Sequence, residues 1–278
     1  MALSGIYRLF SGAPVHPVGA DGRMALSDHL RELRARILKI ALTITVAMVV
    51  ALFFFDPIFD FVYGPYEQAK ESLPEGSSFA TTSGAGGGLT LYLKLCGFAA
   101  LVGTSPIWLY QIWAFIMPGL HPSEKRWTAI FVAVATPLFG VGLLLGFVTL
   151  PKGLEVLIGL NPDGITNLVD FNDYLTFFTR TLLVFGLAFE IPVFVVMLNR
   201  AGVVSGKSLG AHRPWIIVGI FVFAAIATPS ADPFTMTFMA VPMVILFLIS
   251  EVIARAHDRR KAARSANAGL SPDELSPI

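Results

Sequence analysis

Residues Tyr174–Leu198 read YLTFFTRTLLVFGLAFEIPVFVVML. Crossing a hydrocarbon core of about 30 Å takes about 20 mostly apolar residues as a helix, and this run supplies them. It holds one carboxylate, Glu190, with Arg180 and Arg200 ten positions away on either side. A rise of 1.5 Å per residue puts each arginine about 15 Å from Glu190, near the depth of a bilayer midplane. Five further apolar runs can be read outward from this one, at about Ile37–Phe55, Leu89–Met117, Trp127–Leu150, Pro214–Thr228 and Phe234–Ala254. The segments between them alternate in charge. Arg31, Arg34, Arg36 and Lys39 lead into the first run, and Asp56, Asp60, Glu67, Glu71 and Glu75 follow it. Lys125 and Arg126 come next, then Asp163, Asp170 and Asp173, then Arg200, Lys207 and Arg213, then Asp232 alone, then Arg255, Arg259, Arg260, Lys261 and Arg264. Lysine and arginine on alternate sides orient a multi-spanning chain with its basic loops inside. The expected class is all-α: a polytopic membrane protein with six transmembrane helices and both termini cytoplasmic.

Composition agrees. Hydrophobic residues make up 55% and charged residues 14% of the chain, and mean hydropathy is +0.70. A soluble domain carries about 25% charged residues. The expected organisation is a flexible cytoplasmic extension over residues 1–25, a six-helix transmembrane domain over 26–260, and a disordered cytoplasmic tail over 261–278. The stretch 1–23 does not read as a cleaved secretory signal. The single Cys96 excludes an intrachain disulfide framework.

Ser27 and Asp28 suit a helix start, and Leu26, Leu30, Leu33 and Ile37 recur at helical spacing. The expectation is an interfacial helix that turns into the first span. The outer loop Asp56–Leu89 is long enough to need secondary structure of its own, and short capping helices are expected there. The fifth run is about 22 Å long as a helix, too short for an undistorted core. Two readings stay open: a hairpin that locally thins the bilayer, or a mismatch absorbed by its neighbours.

Glu190 is the most informative buried group. An acid at midplane depth costs roughly 2.5–3.5 kcal/mol on insertion scales. Pro192 adds to this, because it cannot donate to the helix ladder and so frees the carbonyl of Ala188. Gln111 and Thr136 are candidate polar neighbours. One reading is a functional polar site, and the other is a protonated acid hydrogen-bonded within the bundle. Glu32 precedes Arg36 by four residues, so a surface ion pair is the simple account of both. Glu124 can equally be an acid in the first turn of the third helix. Gly202–Ser208 fails as a phosphate loop on spacing and on the lack of a preceding strand. The run Gly84–Gly88 likewise follows no strand expected from sequence. No histidine pair has metal-ligand spacing on one helix, and no serine lies in a Gly-x-Ser-x-Gly setting with a membrane histidine. Neither a catalytic residue, a metal site, a cofactor nor a nucleic-acid partner is expected. A proton-coupled secondary transporter of a small solute, with Glu190 as relay, is the alternative function. Such carriers carry internal repeats, and the halves of this chain show no convincing similarity.

Four stretches resemble the twin-arginine translocase subunit TatC. They are His29-Leu30-Arg31-Glu32-Leu33-Arg34-Ala35-Arg36; Tyr110 to Leu120 followed by Glu124-Lys125-Arg126; Phe185-Gly186-Leu187-Ala188-Phe189-Glu190-Ile191-Pro192; and Thr228-Pro229-Ser230-Ala231-Asp232-Pro233-Phe234. The resemblance implies a concave, glove-like bundle with short fifth and sixth helices, in a bacterial cytoplasmic membrane. It implies a receptor and core for the export of folded proteins, without enzymatic activity and driven by the protonmotive force. Glu32 and Glu124 match the positions that bind the paired arginines of a signal peptide, with Arg34 and Phe115 nearby. Glu190, grouped here with Gln111, matches a carboxylate that contacts partner helices, and Asp232 marks the last outer turn. Implied partners are twin-arginine precursors, the single-span subunits TatA and TatB, membrane lipid and further copies of this chain in a multi-copy receptor complex.

Overall fold

The structure is a computed structural model that describes residues 26–73, 78–82, 84–116, 124–159, 167–200, 202–227 and 233–268. The extension 1–25, Asp232 and the end of the tail fall outside these residues. The chain is mostly helical and divides into two compact units, residues Met1–Leu183 and Val184–Ile278.

In the first unit, helix α1 runs unbroken over Leu26–Leu52. The expected turn between an interfacial helix and the first span is absent, because no glycine or proline lies in that stretch to break it. Asp28 sits in the first turn, where an acid complements the helix dipole. Helix α2 (Phe55–Glu71) and strand β1 (Ser78–Thr81) occupy the long Asp56–Leu89 connection. Helices α3 (Gly87–Gly103) and α4 (Ser105–Ile116) meet at a 60° bend. Pro106 explains the bend: it withholds a donor from the carbonyl four residues back, and its ring crowds that carbonyl. Thr104 closes α3, its Oγ1 donating to the Ala100 carbonyl at 2.7 Å, and Trp108 Nε1 of α4 donates across the break to the Leu101 carbonyl at 2.8 Å. Helix α5 (Glu124–Gly159) accommodates Pro137 and Pro151.

Strand β2 (Asn167–Asp170) pairs in parallel with β1, Ser78 opposite Asn167 and Thr81 opposite Asp170. This pair departs from the all-helical expectation. Asp170 then caps helix α6 (Phe171–Ala188), its Oδ1 accepting from the Asn172 amide at 2.7 Å. The core of this unit gathers Val62 and Tyr66 of α2, Leu91 and Leu95 of α3, Leu150 and Leu154 of α5, and Tyr174 and Phe178 of α6. Its polar atoms are matched. The Tyr174 hydroxyl donates to the Val62 carbonyl at 2.6 Å, and Tyr66 and Ser78 share a hydrogen bond of 2.9 Å.

The second unit contains helices α7 (Ile191–Arg200), α8 (Gly206–Ala211), α9 (Arg213–Ala227) and α10 (Pro233–Ala268). Gly202 takes a φ of +78°, which reverses the chain after α7, and Ser205 caps α8 by accepting from the Ser208 amide. The Gly202–Ser208 stretch is thus a turn and a helix start. Helix α9 is short, as expected. The sixth helix is not: α10 has 36 residues, contains Pro242, and continues through part of the tail expected to be disordered. Arginine, alanine and lysine beyond the apolar run are strong helix formers, so the helix outlasts its membrane-facing part.

Helix α10 packs on α7, α8 and α9. Its Glu251, 2% exposed, accepts from Arg213 Nε at 2.9 Å and Nη2 at 2.8 Å, and pairs with Arg255 Nη2 at 2.6 Å. Asp258 accepts from Asn199 Nδ2 at 2.8 Å and from the Gly206 amide at 2.7 Å. By length and composition, four segments can cross a membrane: Ser27–Leu52, Ala129–Gly159, Phe171–Arg200 and Met236–Ala263. The bent pair α3–α4 makes a fifth candidate. Apolar side chains such as Val46, Leu144, Val148 and Ile226 lie exposed on these helices and on α9, as a lipid-facing surface requires.

A Cβ on Gly206 would lie 2.6 Å from the backbone nitrogen of Arg255. Gly206→Ala should therefore force α8 off α10 and lower stability by about 1–3 kcal/mol, read as an earlier thermal transition in detergent.

Candidate functional site

His29, Glu32 and Arg36 recur at helical spacing and share one face of α1. That face meets α4, which presents Gln111 and Phe115 one turn apart. Arg36 donates from Nε to Glu32 Oε1 at 2.9 Å, and from Nη2 to the same oxygen. Its Nη1 reaches Gln111 Oε1 at 3.3 Å. One guanidinium thus links an acid and an amide carbonyl across two helices. Beside it the His29 ring stacks on Phe115, with centroids 4.4 Å apart and planes 18° from parallel. Glu32 and Arg36 side chains are 16% and 18% exposed, so water reaches the group without immersing it. Both bonds from Arg36 land on Oε1, and no hydrogen bond among the described residues reaches Glu32 Oε2.

Of the expected site residues, the structure brings Glu32, Gln111 and Phe115 together. Gln111 accepts from Arg36, which also holds Glu32. Arg34 is exposed. Glu124 begins α5, and its side chain is outside the described set. The stacking of His29 on Phe115 was not foreseen, although the spacing of His29 and Glu32 places both on one helix face.

Glu190 lies in the second unit, in the break between α6 and α7. Its amide donates to the Leu187 carbonyl at 3.0 Å, and its carbonyl accepts from the Phe194 amide at 3.0 Å. The side chain is buried, and neither carboxylate oxygen has a hydrogen-bond partner among the described residues. The hydroxyl of Thr136 is also buried without one. An unmatched buried acid is costly, and such groups in membranes mark functional positions. The cluster Arg213–Glu251–Arg255 was missed, because Glu251 sits at the polar end of an apolar run. Arg255 follows Glu251 by four residues on α10, a legible spacing, but Arg213 comes from α9 and no spacing reveals it.

A family model described as "Sec-independent protein translocase protein (TatC)" matches residues 28–242. The chain is 42% identical over 272 residues to the protein of that name from Frankia casuarinae, covering 93% of this chain and 74% of that one. It is 33% identical over 239 residues to the Escherichia coli K12 protein, covering 86% and 91%. A crystal structure described as the twin arginine translocase receptor TatC matches with a TM-score of 0.69 at 30% identity, over 81% of this chain and 99% of that one. With basic-to-acidic loop alternation, apolar spans and a polar α1–α4 face already in place, these matches identify the family: the chain belongs to TatC, the bacterial membrane component of Sec-independent protein translocases.

Proposed function

We propose that this chain is the signal-peptide receptor of a twin-arginine export system, with Glu32 and Glu124 as its two acids. The supporting observation is the way Glu32 already holds a guanidinium. Arg36 lies across Glu32 and Gln111, and Oε2 of Glu32 is left for a second donor. An incoming arginine engages that oxygen or displaces Arg36. Displacement is inexpensive, since a partly exposed i,i+4 pair contributes about 0.3–0.5 kcal/mol. The gain is larger, because a hydrogen bond to a charged group contributes roughly 1.5–3 kcal/mol. Arginine presents a planar fork that fits carboxylate bidentately, whereas lysine is a point charge, so two acids favour Arg-Arg over Lys-Lys. Phe115 and His29 supply a flat apolar edge, and exposed Arg34 contributes positive charge nearby.

In this reading six helices cross the membrane. The bent α3–α4 pair counts as one and short α9 as another, and the basic loops put both termini in the cytoplasm. TatA and TatB helices associate in the membrane, and the protonmotive force drives transport. Glu190 serves assembly with a single-span partner, because a buried acid without a partner of its own gains most from one supplied by another helix.

Replacing Glu32 by Gln, or Glu124 by Ala, should weaken photo-cross-linking to an Arg-Arg precursor about 10- to 100-fold, with insertion unchanged. Undiminished cross-linking removes that acid from the site. Arg36→Gln frees Glu32 and should tighten the same precursor about twofold, and weaker binding would show that Arg36 builds the site instead of occupying it. Glu190→Leu should leave cross-linking intact and abolish co-purification of the single-span subunit. Normal export by that variant makes the carboxylate structural.

A further inference from the structure

The second unit holds an apolar groove of about 370 Å³ between α7, α8, α9 and α10. Its walls include Ile191, Val195, Leu209, Ile216, Phe223 and Phe247. One end of it runs into charge. Ile216 follows Arg213 by three positions on α9, and Phe247 precedes Glu251 by four on α10. These offsets keep groove and ion pair on the same helix faces, about 4.5 Å apart along α9 and about 6 Å along α10. On α8, Gly210 beside Leu209 lies against both Arg255 and Glu251. Two guanidiniums there serve one carboxylate, leaving a net positive charge. Both arginine side chains are 45% exposed. Arg213 Nη1 and Arg255 Nη1 have no partner among the described residues. Exposed Lys207 adds charge close by in the chain, and Trp215, 77% exposed, has the amphipathic ring that settles at headgroup level.

We propose that this groove is a binding site for an anionic phospholipid, one acyl chain lying along α9 and the phosphate held by Arg213 and Arg255. An apolar slot opening onto spare guanidinium donors matches such a lipid at both ends, because arginine binds phosphate bidentately and the polar end lies where a helix leaves the hydrocarbon. A zwitterionic lipid fills the slot equally well but brings a cation to the arginines.

The full chain, purified in detergent, is offered phosphatidylglycerol and phosphatidylcholine of identical acyl chains, and retained lipid is counted by native mass spectrometry. Phosphatidylglycerol should be retained about tenfold over phosphatidylcholine. Arg255→Gln should erase most of that preference while leaving Arg213 on Glu251. Gly219 lines the groove, and a Cβ there meets nothing within 4 Å. Gly219→Leu should therefore fill the slot without disturbing the fold and lower retention of both lipids. Equal retention of the two lipids by the unsubstituted chain overturns the proposal. So does unchanged retention in Gly219→Leu, including the case where that variant instead sheds a co-purifying single-span helix, which makes a protein the occupant. None of these readouts involves a precursor, so they stand apart from the fate of the receptor reading.

Discussion

Hydrocarbon accepts and donates no hydrogen bonds, and the architecture follows from that constraint. Each backbone amide within the apolar segments must find its partner in its own helix, so the chain is helical wherever it is apolar. Interruptions then need a chemical cause. At Pro106 the ladder loses a donor and the chain bends by 60°, with the Trp108 indole donating back across the bend to the Leu101 carbonyl. At Pro192 a donor is lost again, and the resulting break carries Glu190. Pro137 and Pro151, by contrast, are absorbed within α5. The same residue type gives bends or continuity according to what its neighbours supply.

Three carboxylates show how surroundings decide what an acid does. Glu251 is enclosed and held by two arginines, of which Arg213 ties α9 to α10 and Arg255 lies on α10 itself. Removing both would leave the enclosed carboxylate unmatched, which is costly. Glu32 is partly wet and engaged by one arginine through one oxygen, which suits exchange. Glu190 is enclosed, and neither of its carboxylate oxygens has a hydrogen-bond partner among the described residues. The small-solute carrier reading of Glu190 falls with the family assignment, since the relatives are protein translocases.

Much of this was legible in the sequence. Apolar runs gave the segments able to cross a membrane and the short α9, because crossing depends on composition over about 20 residues. The i,i+4 pairing of Glu32 and Arg36 was equally local. Features made by residues distant in the chain were not visible. The β1–β2 register joins Thr81 to Asp170, and the Glu251 cluster draws on α9 and α10. The length of α10 was underestimated because hydropathy marks where a helix leaves the membrane and helix propensity marks where it stops. The contact of Gln111 with Arg36 was not visible either, because a glutamine in an apolar run carries no direction.

The parallel strand pair also fixes an order of events during biogenesis. Thr81 donates to the Val169 carbonyl, 88 positions further along the chain. When β1 is first made its edge is bare, since β2 follows only after α3, α4 and α5. Closing so long a loop is slow compared with forming a helix. The strand pair therefore closes late in the first unit, and a chain stalled after α5 carries an open strand edge.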